Sequence, residues 1–192
     1  MTFSAVLLAG GESLRMGEDK ATIFFGGRPL WQRQVEILRN LSPERIFISV
    51  RRKPSWLAAE TELLLDEPPS RGPLGGLARG LTEMESSHLI ALAVDMPFMP
   101  TAELRILCQL ATQGVGVVSI YQNCVEPLAA VYPKEAALEF TAALDGPDFS
   151  LQNLARDLAR TGKVQLREIS EEVRNLYRSV NEPGDLMRGS VL

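Results

Sequence analysis

Residues 4–20 read SAVLLAGGESLRMGEDK. An apolar run, predicted as a β-strand over Ser4 to Ala9, passes directly into a segment that contains Gly10 and Gly11 and carries the cations Arg15 and Lys20. Glycines after a strand let the backbone approach a ligand closely and point N–H groups at an anion. Two cations at this spacing suit separate phosphates of a triphosphate. The stretch therefore predicts an anion-binding loop at the end of the first strand.

The glycine spacing excludes two common nucleotide-binding motifs. A P-loop has the pattern GxxxxGK[ST], whereas here Lys20 lies three residues after Gly17 and is followed by Ala21. The dinucleotide fingerprint GxGxxG is also absent, because Gly10 and Gly11 are adjacent. The alternative to a ligand site is a solvated loop whose cations pair with its own acidic residues, Glu12, Glu18 and Asp19.

The rest of the chain alternates short apolar runs with amphipathic stretches, the pattern of βα units around a mostly parallel sheet. Strands are predicted at Ser4–Ala9, Arg45–Val50, Leu63–Leu65, Leu89–Val94, Val115–Tyr121, Glu126–Tyr132, Val164–Ile169 and Arg178–Val180. Helices are predicted at Leu30–Asn40, Leu74–Met84, Lys134–Leu144 and Ser150–Arg160, with another beginning at a Thr101 N-cap. We find no linker or repeat, so we expect one domain over residues 1–192 with helices on both faces of the sheet.

Composition narrows the classes of partner. The net charge of −4 disfavours a nucleic-acid-binding protein, and the apolar runs are far shorter than the ~20 residues that span a bilayer. The N-terminus lacks a signal-peptide pattern, so we expect a cytoplasmic protein without a membrane partner. Cys108 and Cys124 have no metal or disulfide spacing and are interpreted as small apolar packing residues. His88 alone cannot form a histidine metal cluster and is interpreted as a strand-end residue.

Two aspartates stand at the ends of predicted strands. Asp95 closes LIALAVD and Asp66 closes LLLD. In open α/β sheets ligands bind beyond the carboxyl ends of the strands, so both carboxylates are candidates for a ligand site. Each aspartate has an alternative interpretation as a turn residue, because each precedes a proline. The glycine-rich stretch Ser70 to Gly76 either lets the backbone approach a ligand or forms a tight strand-to-helix turn.

The segment LLAGGESLRMGEDK followed by FFGGRPL resembles the N-terminal signature of nucleotidyltransferases, LAGGxSxRMGxDK followed by GxPL. Within that superfamily the chain most resembles the molybdenum cofactor guanylyltransferase family, which joins GMP from GTP to molybdopterin. Further matches span almost the whole chain: Asp66 followed by GPLGG at 72–76, VDMPF at 94–98, EPL at 126–128, and VNEP at 180–183 before Asp185-Leu186.

The resemblance implies a three-layer α/β/α, Rossmann-like nucleotidyltransferase fold with a mostly parallel central sheet. It implies GTP and molybdopterin as substrates, Mg²⁺ as cofactor, and transient contact with molybdenum cofactor delivery proteins. The implied catalytic residues are Arg15, Lys20 and Asp95, with Asp95 as the metal ligand. The implied nucleotide contacts are Leu8, Ala9, Gly10, Gly11, Lys20, Asp66 and Asp95, and the implied acceptor contacts are Gly75 and Asn181.

Chemistry explains why a nucleophile or base is not needed. A phosphate monoester acceptor is already ionised near neutral pH, so attack on the α-phosphorus of a nucleoside triphosphate requires no residue to remove a proton. Placement and charge neutralisation are then sufficient for catalysis, and Arg15, Lys20 and a metal ion can supply them.

The chain departs from the family at positions that bear on the substrates. Arg51-Arg52 stands where the family often has an asparagine, Glu126 stands where many members have histidine, and one asparagine of the C-terminal NVNTP pair is missing. A carboxylate in a site for an anionic acceptor is unfavourable unless it is paired, for example by Arg51 or Lys134. Three functions therefore remain: guanylyl transfer to molybdopterin; CMP transfer to molybdopterin or nucleotide transfer to a sugar or alditol phosphate; and a non-catalytic nucleotide-sensing or docking module. The oligomeric state is not predicted.

Overall fold

Continuous apolar sequence becomes a sheet covered on both faces. The structure, a computed structural model, describes residues 1–10, 19–66 and 68–180. The strands are β1 Phe3–Leu8, β2 Phe24–Phe25, β3 Arg28–Pro29, β4 Ile46–Val50, β5 Glu62–Leu65, β6 His88–Ala93, β7 Gly116–Tyr121, β8 Cys124–Pro133 and β9 Val164–Glu168. The α-helices are α1 Leu30–Arg39, α2 Pro73–Glu83, α3 Thr101–Leu110, α4 Ala137–Asp145, α5 Leu151–Arg160 and α6 Glu171–Arg174. Single 3₁₀ turns lie at Lys20–Thr22, Lys134–Ala136 and Asn175–Tyr177.

The central sheet has seven strands in the order β5-β4-β1-β6-β8-β7-β9. Strands β5, β4, β1 and β6 pair in parallel, and β9 is parallel to β7. Strand β8 is antiparallel to both of its neighbours, β6 and β7. The mostly parallel sheet predicted from sequence is confirmed.

Helices cover both faces of this sheet, which confirms the three-layer α/β/α prediction. On one face α1 and α3 pack through residues such as Val35, Leu38 and Leu104. On the other face α2, α4 and α5 pack through residues such as Leu77 and Phe140. The parallel strands can be apolar on both sides because neither side contacts water.

Several local expectations are corrected. Thr101 is the first residue of α3, and Pro100 occupies the N-cap without a side-chain cap bond. The predicted helix from Lys134 begins as a 3₁₀ turn, and Arg178–Val180 is not a strand. Ser150, predicted as the first residue of a helix, is instead the N-cap of α5 and accepts a hydrogen bond from the Asn153 N–H at 3.3 Å.

The interpretations of the single histidine and the two cysteines are confirmed in part. His88 begins β6 and is fully buried, as expected of a strand-end residue. Cys108 is half-buried against the core, but Cys124 is exposed at the start of β8, so its interpretation as a packing residue is wrong. Across the described ranges, none of the helices is long and apolar enough to cross a membrane.

Candidate nucleotide-binding site

The site lies where the carboxyl ends of four adjacent strands meet. Asp66 follows β5, Ser49 lies near the end of β4, Ala9 follows β1, and Asp95 follows β6 by two residues. The chain moves from β1 to β4 on one side and later to β6 on the other, so β1 is the point where strand order reverses. Such a switch point opens a crevice beyond the strand ends. Backbone bonds close its floor, from Ala9 N–H to Ser49 O at 2.8 Å and from Val94 N–H to Leu8 O at 3.0 Å.

Lys20 and Asp95, which are 75 positions apart, form an ion pair across this crevice. The distance from Lys20 Nζ to Asp95 Oδ2 is 3.1 Å, and the side chains are 16% and 20% exposed. Lys20 begins a 3₁₀ turn whose N-cap, Asp19, accepts a hydrogen bond from the Ala21 N–H at 3.0 Å. The second carboxylate oxygen of Asp19 accepts from Trp56 Nε1 at 3.0 Å. The partly buried pair therefore has a rigid support and remains accessible to a ligand.

A cavity of about 80 Å³ opens beside this ion pair. Its lining includes six residues predicted to bind nucleotide: Leu8, Ala9, Gly10, Lys20, Asp66 and Asp95. The structure thus brings together side chains that the sequence distributes over almost half of the chain. Gly11, Arg15 and Asn181 lie outside the described residues, and their roles stay predictions.

Gly10 lets the end of β1 approach Asp66 closely. A Cβ atom on Gly10 would lie 3.4 Å from Asp66 Oδ2 and 3.5 Å from the Arg51 backbone nitrogen. A methyl group would therefore sit at the short end of ordinary contact distance from these atoms. Gly10 thus lies close to the carboxylate of Asp66, and the approach to a ligand predicted for this glycine stays a prediction.

Two serines orient Asp66. Ser70 Oγ donates to Asp66 Oδ2 at 2.9 Å, and Ser49 Oγ lies 3.4 Å from Asp66 Oδ1. Ser49 is almost fully buried and lines the cavity, yet the sequence analysis missed it. The available signal was one hydroxyl in the otherwise apolar strand IFISV.

The N-terminus of α2 also faces this cavity. Gly72 is its N-cap with φ 62° and ψ −144°, backbone angles that favour glycine, and Pro73 follows at the first helical position. Both residues line the cavity. A helix N-terminus carries partial positive charge and unpaired N–H groups, which favour an anion.

A larger cavity of about 470 Å³ adjoins the first. Ser49 and Asp66 line both cavities, so they form a shared wall. Gly75, the predicted acceptor contact, lines the larger cavity. A Cβ atom on Gly75 would find only Arg71 Cβ within 4.0 Å among the described residues, so its backbone is open to a ligand.

Glu126 is half-buried on β8, opposite Ser119 of β7. Burial raises the pKa of its carboxyl, and the positive charge of Arg174 partly opposes that rise. Arg174 is therefore a cation that acts on Glu126 and that the sequence did not suggest, whereas the suggested pairing of Glu126 with Arg51 or Lys134 stays a prediction. Leu128, two residues further along β8, lines the smaller cavity.

A buried polar cluster holds the C-terminal segment near the site. Tyr177 OH donates to Glu103 Oε1 at 2.7 Å and lies 2.7 Å from Ser119 Oγ. Arg167 forms an ion pair with the same Glu103 carboxylate. Three residues after this tyrosine, the Val180 N–H donates to Asp95 O at 2.8 Å.

The described residues contain no group of three or more His, Cys, Asp or Glu side chains that could hold a metal ion. A metal supplied with a nucleotide requires less, because Mg²⁺ is usually held by one or two carboxylates together with substrate phosphates and waters. Asp95, a partly exposed carboxylate at the cavity wall, fits that requirement.

Comparison with known proteins adds independent information. A sequence model described as the MobA-like NTP transferase domain matches residues 5–163. A probable molybdenum cofactor guanylyltransferase of Opitutus terrae is 34% identical and covers 95% of this chain and 92% of its own length. The molybdenum cofactor guanylyltransferase of Cereibacter sphaeroides is 32% identical, with 100% and 97% covered.

A solved structure is similar over its whole length. The molybdopterin-guanine dinucleotide biosynthesis protein A of Archaeoglobus fulgidus superposes with a TM-score of 0.75 at 22% identity. The superposition covers 97% of this chain and 96% of that one. At this identity the likeness supports the fold alone.

Proposed function

This chain belongs to the family of MobA-like NTP transferase domains, and we propose that it transfers GMP from GTP to molybdopterin. The products are the guanine dinucleotide form of the cofactor and pyrophosphate. The observation that carries the proposal is the Lys20–Asp95 pair, held 3.1 Å apart in a cavity that the glycine-flanked end of β1 also lines.

In the proposed reaction the acceptor phosphate oxygen attacks the α-phosphorus of GTP. A new P–O bond forms there, the bond from the α-phosphorus to the bridging oxygen breaks, and pyrophosphate leaves with that electron pair. The acceptor oxygen is already ionised, so no side chain must remove a proton. Lys20 would neutralise charge on the phosphates, while the backbone at Ala9 and Gly10 and the N-terminus of α2 would position them.

Asp95 is the residue we propose for Mg²⁺. Bound there with the nucleotide, the metal would neutralise charge that develops on the transferred and leaving phosphates. Because Lys20 contacts the Asp95 carboxylate at present, we expect this ammonium group to move towards a phosphate when the nucleotide and its metal bind. We also propose that the reaction takes place in the cytoplasm and that the product passes to a delivery protein through a transient contact.

The test is pyrophosphate release by the purified chain with molybdopterin and each of the four nucleoside triphosphates. We expect release with GTP and Mg²⁺, and loss of release when the metal is chelated. Pyrophosphate release with CTP and not with GTP would show cytidylyl transfer instead. If none of the four nucleoside triphosphates gave pyrophosphate, the assignment as an enzyme would be wrong.

Matched variants separate the site from the rest of the surface. Lys20→Ala and Asp95→Asn should each lower the rate by roughly 100-fold or more, because each removes a group expected to stabilise transferring charge. Lys134→Ala and Asp157→Asn are the controls. Lys134 is exposed beside the start of β6, at the opposite end of the sheet, and Asp157 is exposed on α5. Equal rates in the site variants and the controls would contradict the proposal.

A further inference from the structure

Helix α1 supports both members of the Lys20–Asp95 pair. The N–H of Leu30, its first residue, donates to Ile23 O at 2.9 Å, and Ile23 N–H donates to Lys20 O at 3.2 Å. One helical turn later, Gln34 Nε2 donates to the backbone oxygen of Met96 at 2.6 Å. Met96 directly follows the aspartate of the pair. A single rigid element therefore connects the backbone of the cation to the backbone of the anion.

Gln34 is an unusual residue for its position. It lies between Leu30 and Leu38 on the buried stripe of α1 and is 0% exposed. Its Oε1 atom has no hydrogen-bond partner among the residues that the structure describes. An apolar side chain of the same size would bury more favourably there, since a buried polar atom is costly unless it is paired. What the amide provides, and an apolar side chain would not, is the hydrogen bond from Gln34 Nε2 to Met96 O.

That bond is one of several hydrogen bonds on a short turn, which also holds Met96 N–H to Ala93 O at 3.4 Å. Arg33 Nε donates to Pro97 O at 2.9 Å, and Val180 N–H donates to Asp95 O at 2.8 Å. Arg33 is half-buried, whereas Gln34 reaches the turn from inside the core. The amide of Gln34 thus provides a buried side-chain hydrogen bond from α1 to this turn.

We propose that Gln34 is a positioning residue for the transfer reaction, fixing the 95–97 turn so that the Asp95 carboxylate faces Lys20 and the nucleotide. The proposal rests on the function proposed above. Gln34 does not line the cavity, so it acts through Asp95 and not on the substrate. A small displacement of a reacting or charge-stabilising group is enough to lower a rate substantially.

Gln34→Met tests the proposal with little change in volume. Met96 O keeps a second hydrogen bond, from Met99 N–H at 3.2 Å, so the substitution leaves that carbonyl paired. We expect the melting temperature to stay within about 4 °C of the wild type. We expect kcat to fall roughly 10- to 100-fold, with KM for GTP changing much less. The matched control is Gln32→Met, at an exposed position on the same helix. It should leave the melting temperature, kcat and KM for GTP unchanged.

Amide hydrogen exchange without substrates supplies a readout that does not depend on activity. In Gln34→Met we expect exchange over residues 94–99 to be roughly 5-fold faster, with β1 and β4 unchanged. This measurement decides the positioning role even if the wild type releases no pyrophosphate, an outcome that would overturn only the proposed function. Unchanged exchange over 94–99 would overturn the positioning role. So would faster exchange throughout the sheet with kcat per folded molecule unchanged, because that result is a loss of stability alone.

Discussion

Two neighbouring glycines of α2 should respond to alanine in opposite directions. A Cβ atom on Gly76 would lie 2.3 Å from Ser49 Oγ, 2.8 Å from Ser49 Cβ and 2.8 Å from Leu8 Cδ2. The hydroxyl could rotate away, but Ser49 Cβ is fixed to its strand, so helix and sheet must separate. On Gly75 the same atom would meet only Arg71 Cβ, at 4.0 Å, within the described part of the chain.

The expected free energies follow from these contacts. Overpacking costs about 1–3 kcal/mol, and alanine recovers roughly 0.5–1 kcal/mol of helix preference over glycine. Three atoms would lie closer than 3.0 Å to the Cβ atom of Gly76, so the cost there falls in the upper part of the overpacking range, about 2–3 kcal/mol. Gly76→Ala should therefore lower the free energy of unfolding by about 1–2.5 kcal/mol and the melting temperature by about 2–10 °C. Gly75→Ala, which has no overlap to relieve, should raise the melting temperature by about 1–3 °C.

Thermal and urea unfolding, followed by circular dichroism, measure both variants against the wild type. Ser49→Ala in the Gly76→Ala background removes the nearest overlap and should restore part of the lost stability. Equal stability of the two single variants, or a Gly76→Ala protein as stable as the wild type, would refute the packing described between α2 and β4. Gly75→Ala also provides a folded protein in which a change in KM for the acceptor would test the predicted role of Gly75.

Three other outcomes follow from buried groups. Burial raises the pKa of the Glu126 carboxyl, so the native protein favours the protonated form, and the stability that this form contributes is lost as the pH rises through the native pKa. Glu126→Gln should therefore have a higher melting temperature than the wild type at neutral pH, and this difference should vanish in acid. A difference in melting temperature that does not change with pH would contradict this. Tyr177→Phe loses a hydrogen bond to the buried Glu103 carboxylate and should cost about 1.5–3 kcal/mol in urea unfolding, a cost below 0.5 kcal/mol being inconsistent with that contact. Burial raises the pKa of the Cys108 thiol to about 11, so a thiol reagent at mildly alkaline pH should label Cys124 rapidly and Cys108 slowly in the native protein, and equal rates would show that Cys108 is accessible.

The parallel strands of the central sheet were predictable because strands buried on both faces appear in the sequence as short, nearly continuous apolar runs. The run predicted at Leu89–Val94 differs by one residue from β6, His88–Ala93. The hairpin of β2 and β3 was not predicted, since two-residue strands are too short to show periodicity. The short helix α6 was missed for a similar reason, as it has only four residues.

For the site, sequence identified side chains but not their supports. Lys20 and Asp95 stood out because glycines and a strand end flank them, and the structure places them in contact. Gln34 was missed because the i, i+4, i+7 spacing of Trp31, Val35 and Leu38 predicts an apolar stripe that leaves it out, whereas the buried residues of α1 include Leu30 and Gln34. Trp31 instead is half-buried and stacks on Trp56, with ring centroids 5.3 Å apart. A polar residue spaced four positions from two leucines was the signal available.

The antiparallel direction of β8 determines where this enzyme can accept an insertion near the crevice without losing its parallel strand pairing. Strand β8 begins at the edge where its neighbours β6 and β7 end, and Gln122 and Asn123 connect it to β7 in a tight turn with Gln122 at φ 53°. Insertions in this connection would add side chains beside the crevice while the pairing of β5, β4, β1 and β6 stayed intact. Evolution or design could therefore change one side of the crevice by lengthening the β7–β8 hairpin. The opposite side, which holds Lys20, would stay as it is.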